Sequence, residues 1–158
     1  MHKSSMLFMQ RFVELYARPL LGAAGSLRVA DVGSMDVNGS YKPLFAEFEY
    51  VGMDLELGPN VDRIVFPDDF GDEQFDVVIS GQVLEHVEDM HAWRDALLRI
   101  VKPGGLVCVI APHVWPCHRH PVDCWRILPD GMRWLFKSLK IIECEMGATD
   151  TVLVARKD

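Results

Sequence analysis

Asp31-Val32-Gly33-Ser34 ends an apolar run with a carboxylate, a glycine and a hydroxyl close together. Gly33, lacking a Cβ, lets a backbone turn sharply against a ligand. Asp54 follows about 20 residues on, at the end of a second apolar run, the position from which a carboxylate can accept both hydroxyls of a ribose. Gly81-Gln82 and Ala111-Pro112-His113 close two further runs. Beyond them, His113, Trp115, Cys117, His118, Arg119, His120, Cys124, Trp125 and Arg126 crowd into one stretch. Imidazoles exchange protons near neutral pH, and guanidinium groups hold anions. Thiols and imidazoles also bind zinc, but no Cys-x-x-Cys or His-x-x-x-His unit is present, so no metal is assigned.

Plainer roles compete with these. Arg126 lies three residues after Asp123 and four before Asp130, which suits an ion pair stapling the loop better than an anion site. Trp115 and Trp125 either line a pocket or fill space beneath a long loop. Glu85 and His86 follow a core strand, where a histidine more often packs or caps than catalyses.

These groups need a scaffold, and the hydrophobic pattern supplies one. Ser4 or Ser5 can cap a first helix with Met9, Phe12, Val13 and Tyr16 on one face, ended by Pro19 and Gly22. Strands are expected at 27–32, 50–54, weakly at 61–65, at 75–80 and at 106–110. A short helix is expected over 41–48, another from about His91 with Trp93, Leu97 and Ile100 on one side, and a third near 131–137. Pro103-Gly104-Gly105 reads as a sharp turn. Segments 139–145 and 151–156 read as two strands about five residues apart, too close for a parallel crossover and therefore antiparallel. Strands alternating with helices predict an α/β fold, a doubly wound Rossmann-like seven-stranded mostly parallel sheet with an antiparallel final strand and helices on both faces. In such a sheet the ligand lies beyond the carboxyl ends of the strands, at the switch point.

The chain has 158 residues and a net charge of −7, with 49% hydrophobic and 25% charged residues. That suits one globular domain and excludes a disordered or fibrous chain. The acidic balance argues against nucleic acid as a partner. No apolar run reaches the roughly 20 residues of a membrane span. Gln10 and Arg11 break the run Met6–Met9, so no signal peptide is expected. Four cysteines are too few for a disulfide framework, and a cytoplasmic setting is expected. The apolar first helix leaves a homodimer open.

The motifs, taken in order, resemble the class I S-adenosylmethionine-dependent methyltransferases. The matching pieces are Val29 to Ser34, Tyr50 to Asp54, Phe75 to Ser80 with Val83 to Val87, and Leu98 to Gly105. A closer likeness is to small bacterial methyltransferase-domain proteins with Asp36 to Tyr41 after the first strand and Arg119 to Arg126 after the fifth. The resemblance implies one domain over 1–158, with an N-terminal helix at 1–24 and an acceptor-side loop and helix at 111–137. It implies S-adenosylmethionine as cofactor, with S-adenosylhomocysteine as product. Asp31, Gly33 and Ser34 would meet its methionine part, Asp54 its ribose and Leu55 its adenine, while Gly81 and Gln82 would lie near the sulfonium. His113 and His120 are the candidate bases for a small-molecule or sugar acceptor. The chain departs from the family where Met35 and Val37 replace glycines, and in a short segment after the third strand.

The expected function is therefore methyl transfer. A degenerate domain serving as a partner subunit is the alternative, motivated by the small size and altered loop. A nicotinamide-dependent oxidoreductase ranks last, because Gly33 to Asn38 does not supply Gly-x-Gly-x-x-Gly.

Overall fold

The computed structural model describes residues 3–22 and 25–158; the ends of the expected 1–24 helix, residues 1–2 and 23–24, lie outside the described residues. Seven strands form one sheet: β1 (Arg28–Val32), β2 (Glu49–Asp54), β3 (Arg63–Ile64), β4 (Phe75–Gly81), β5 (Val101–Pro112), β6 (Lys140–Met146) and β7 (Asp150–Arg156). Their order is β3-β2-β1-β4-β5-β7-β6. The first five run parallel, whereas β7 is antiparallel to both β5 and β6. The antiparallel closing pair and the mixed sheet match the sequence reading.

Alternation along β5 shows how the sheet divides two cores. Leu106, Cys108 and Ile110 join Met9, Phe12 and Phe45 on one face, while Val107, Val109 and Ala111 join Trp93, Leu97 and Met132 on the other. A strand buried on both faces must be apolar at nearly every position, which is why β4 and β5 were plain in the sequence.

The helical elements differ from expectation in instructive ways. Helix α1 (Lys3–Phe12) continues through a wide turn at Val13–Ala17 into α2 (Arg18–Leu21). Pro19 sits in the first turn of α2 and does not stop the helix; Gly22 does. A missing N–H costs little at that position. Ser4 and Ser5 are inside α1, not its cap: the Ser4 hydroxyl donates to Asp150 Oδ2 at 2.6 Å, and buried Ser5 bonds Tyr41. The apolar face of α1 and of the wide turn after it, with Met9, Phe12, Val13 and Ala17 buried, is spent on its own sheet. The helix expected over 41–48 is one 3-10 turn, Lys42–Phe45, whose neighbours Tyr41 and Phe48 are drawn into the same core. The third strand shrinks to two residues at the sheet edge.

Helix α3 (Met90–Ile100) begins at Asp89, whose carboxylate accepts the N–H groups of His91 and Ala92, both at 3.0 Å. Such a cap stabilises by about 1 kcal/mol. Helix α4 (Pro129–Leu135) starts two residues earlier than expected, with Pro129 in its first turn. The turn at Pro103-Gly104-Gly105 is a bulge in β5: Phe75 pairs with Val101, but Val77 already pairs with Leu106. Among the described residues no helix is long and apolar enough to cross a membrane.

Candidate active site

The carboxyl ends of β1, β2, β4 and β5 meet at one edge, where the loops after β1 and β2 are tied together mainly through backbone amides. Gly33 has φ +85°, a region that disfavours side chains, and a Cβ there would collide with Val83 from the loop after β4. The amides of Gly33 and Ser34 both donate to the Met53 carbonyl, at 2.8 and 3.1 Å. Ser34 Oγ donates to the Asn60 carbonyl at 2.9 Å. The first loop therefore folds across the tip of β2. Asp54 secures it: Oδ2 accepts from Met35 N at 2.9 Å and Oδ1 from Leu55 N at 2.7 Å. Each carboxylate oxygen retains a second lone pair, and Asp54 is only half-buried, while Leu55 is exposed.

Asp31 is buried in β1. Tyr50 donates to its Oδ2 while Oδ1 has no partner. Burial pushes the carboxyl up to about 7, with Tyr50 opposing the shift and the charge of Asp54 adding to it.

At the tip of β4, Gly81 lies against Tyr41, and a side chain at Gly81 would strike its ring. Gln82 holds a left-handed conformation with φ +63°, uncommon for a residue with a Cβ. Its Nε2 donates to Asp150 Oδ1 at 2.9 Å, and its buried Oε1 has no partner. His113, past the tip of β5, donates its amide to the Thr149 carbonyl at 3.0 Å; its ring Nδ1 is buried without a partner. Unpaired buried polar atoms cost stability, and three of them, Asp31 Oδ1, Gln82 Oε1 and His113 Nδ1, lie around one set of strand ends.

The loop after β5 is built differently, from side chains. Arg126 grips Asp123 through two bonds of 2.6 and 2.8 Å, the expected staple. That guanidinium holds the Asp123 carboxyl well below the usual carboxylate range. Asp130 faces Arg133 instead. Asp123 also accepts the His118 amide at 2.7 Å. Trp125 Nε1 donates to the Val87 carbonyl at 2.6 Å, and the Cys124 amide to the Glu85 carbonyl at 2.6 Å. Trp115 and Trp125, 39% and 38% exposed, line a cavity of about 280 Å³ with Asp123 and Arg126. A second, of about 610 Å³, lies between residues 126–131 and Met146. Arg119 and His120 are exposed.

Two residues gain importance here. Glu85 and His86 occupy a 3-10 turn, Leu84–His86, directly beneath the loop. Glu85 is 1% exposed, and burial pushes its carboxyl up to about 7. The His86 ring contacts those of His118 and His120. Local spacing held no sign of this, because the two segments lie more than 30 positions apart.

Comparison with known proteins agrees with the geometry. Residues 42–109 match the family model of a methyltransferase domain. A comparison with curated proteins gives no significant match. Among solved structures, the fold superposes on the 1,6-didemethyltoxoflavin-N1-methyltransferase of Burkholderia thailandensis with a TM-score of 0.73, at 14% identity, covering 98% of this chain and 79% of that one. Magnesium protoporphyrin IX methyltransferase of Synechocystis PCC 6803 gives 0.68 at 18% identity, covering 99% and 86%. A SAM dependent methyltransferase from Aquifex aeolicus gives 0.64 at 12% identity and covers both chains completely. The resemblance seen in the sequence is thereby borne out: the chain has the fold of S-adenosylmethionine-dependent methyltransferases, and its residues 42–109 carry the pattern of a methyltransferase domain.

Proposed function

We propose that the protein is an S-adenosylmethionine-dependent methyltransferase acting on a small-molecule or sugar acceptor, a single domain over residues 1–158 with a doubly wound sheet. The observation that carries this is the convergence of Gly33, Asp54 and Gln82 at the ends of β1, β2 and β4, with unpaired acceptors on Asp31 and Gln82. The donor set fits the cofactor. Asp54 has lone pairs for two ribose hydroxyls, and exposed Leu55 offers an apolar face to the adenine. Gly33 and Ser34 would hold the methionine part through their backbone, and Asp31 would attract its cationic amine. Gly81 and Gln82 would hold the sulfonium end.

The cofactor supplies an activated methyl group, so positioning and water exclusion can carry most of the rate. A base is needed where the acceptor arrives protonated. His113 is the better candidate, since its Nδ1 is buried and unpaired at the same strand ends. His120 is the second. Trp115 and Trp125 around the smaller cavity provide two indole faces for a compact acceptor, with Arg126 spent on Asp123. Free, exposed Cys117 and Cys124 suit a reducing cytoplasm.

Calorimetric titration with S-adenosylmethionine, S-adenosylhomocysteine and NAD tests the proposal. Micromolar binding of both sulfur nucleotides and none of NAD is expected. Absence of binding would favour the degenerate partner-subunit reading. Once an acceptor is found, His113→Ala should lower turnover and spare cofactor affinity; an unaltered rate would retire His113 as the base.

A further inference from the structure

Glu85, His86 and His118 each offer a ligand atom, and the three atoms lie within 4.8 Å of one another. His86 Nδ1 is 2.6 Å from the Val122 carbonyl, an acceptor, so that nitrogen must carry the proton. The neutral ring then turns a bare Nε2 lone pair toward Glu85 Oε1, 3.9 Å away. Glu85 is 1% exposed, and neither carboxylate oxygen has a hydrogen-bond partner on another residue. A carboxylate and a lone pair facing each other in a dry setting repel unless a cation, a proton or a metal ion, stands between them.

The histidine rings are also arranged as ligands would be. Centroid separations are 4.9 Å for His86–His118, 5.9 Å for His86–His120 and 6.0 Å for His118–His120, all near edge-to-face. Imidazoles sharing one tetrahedral metal at about 2 Å have ring centres about 5 Å apart. The outer contacts expected of such a centre are present. The Val122 carbonyl fixes the tautomer of His86, the Pro116 carbonyl lies 3.3 Å from His118 Nδ1, and Asp123, itself clamped by Arg126, anchors the His118 backbone amide.

We propose that Glu85, His86 and His118 form a binding site for a divalent transition metal of the zinc class. Borderline nitrogen ligands with one carboxylate suit Zn²⁺ and exclude Mg²⁺ and Ca²⁺, which prefer oxygen. The site joins the turn after β4 to the loop after β5, so the metal fastens the loop that carries Trp115 and Trp125. The inference does not depend on the methyl-transfer reading.

The test uses the untagged full chain. It is stripped with a chelator and titrated with Zn²⁺ against a colorimetric competitor, then with Co²⁺ for its visible spectrum. The proposal expects one equivalent of Zn²⁺, a tetrahedral Co²⁺ spectrum without a thiolate charge-transfer band, and at least about tenfold weaker binding in His118→Ala. Glu85→Gln, which keeps the buried shape, should weaken binding similarly, with circular dichroism verifying that both variants are folded. No Zn²⁺ binding, a thiolate band pointing to Cys117 and Cys124, or unchanged affinity in either folded variant would overturn it.

Discussion

The two halves of the site are built by opposite means. The edge formed by the loops after β1 and β2 is held through backbone amides: the Met53 carbonyl takes two, and the Asp54 carboxylate takes two more. The loop after β5 adds to its backbone bonds a set of side-chain ones, through Arg126–Asp123, Trp125 on Val87 and the histidines over Glu85. A backbone-built edge depends on a few small and acidic residues, so its variants should fail outright or lose cofactor. A side-chain-built loop spreads its stability over many contacts, so single changes there should cost less and leave the cofactor alone.

The sharpest way to break this contrast is Gly33→Val. The positive φ and the collision with Val83 should eliminate S-adenosylhomocysteine binding in calorimetry and destabilise the fold by about 1–3 kcal/mol in urea. A variant that still binds would show that this turn does not contact the cofactor.

Asp31→Asn comes next and tests burial directly. A carboxyl raised to about 7 in the folded chain keeps its proton where the unfolded chain has released it. Below about pH 4 both states are protonated and the site is neutral in its effect. Between about pH 4 and 7 stability falls as pH rises, and above 7 the full loss remains. The amide removes that loss, so urea midpoints of the variant should gain on the wild type between pH 5 and pH 8. Parallel midpoints would contradict the burial argument.

Asp54→Ala should weaken cofactor binding by about 1–3 kcal/mol through lost charge-assisted hydrogen bonds. Unchanged affinity in the same titration would remove Asp54 from the site. Trp125→Phe is the mildest. It deletes one hydrogen bond to Val87, costs about 1 kcal/mol in thermal or urea unfolding, and should leave cofactor affinity unaltered.

The same contrast explains what the sequence could reveal. β4 and β5 were legible because a doubly buried strand is apolar throughout, and Asp31, Gly33 and Asp54 because ligand-gripping turns need fixed residue types at fixed offsets. Of the two residues expected to end the first helix, Gly22 does so, whereas Pro19 sits in the first turn of α2, where a proline in a continuing helix resembles a stop. The 41–48 segment carries helix-like spacing, yet Tyr41, Phe45 and Phe48 pack into the core from a single turn. The Glu85–His86 cluster was invisible because its partners come from a loop whose path is set by Asp123, Arg126 and Trp125, contacts that exist only after folding.

Hydrogen exchange with and without saturating S-adenosylhomocysteine tests the division most directly. The account predicts protection at Gly33 to Met35, Asp54 to Leu55 and Gly81 to Val83, with the loop from Val114 to Arg126 unchanged. Protection confined to that loop, or none at all, would contradict it.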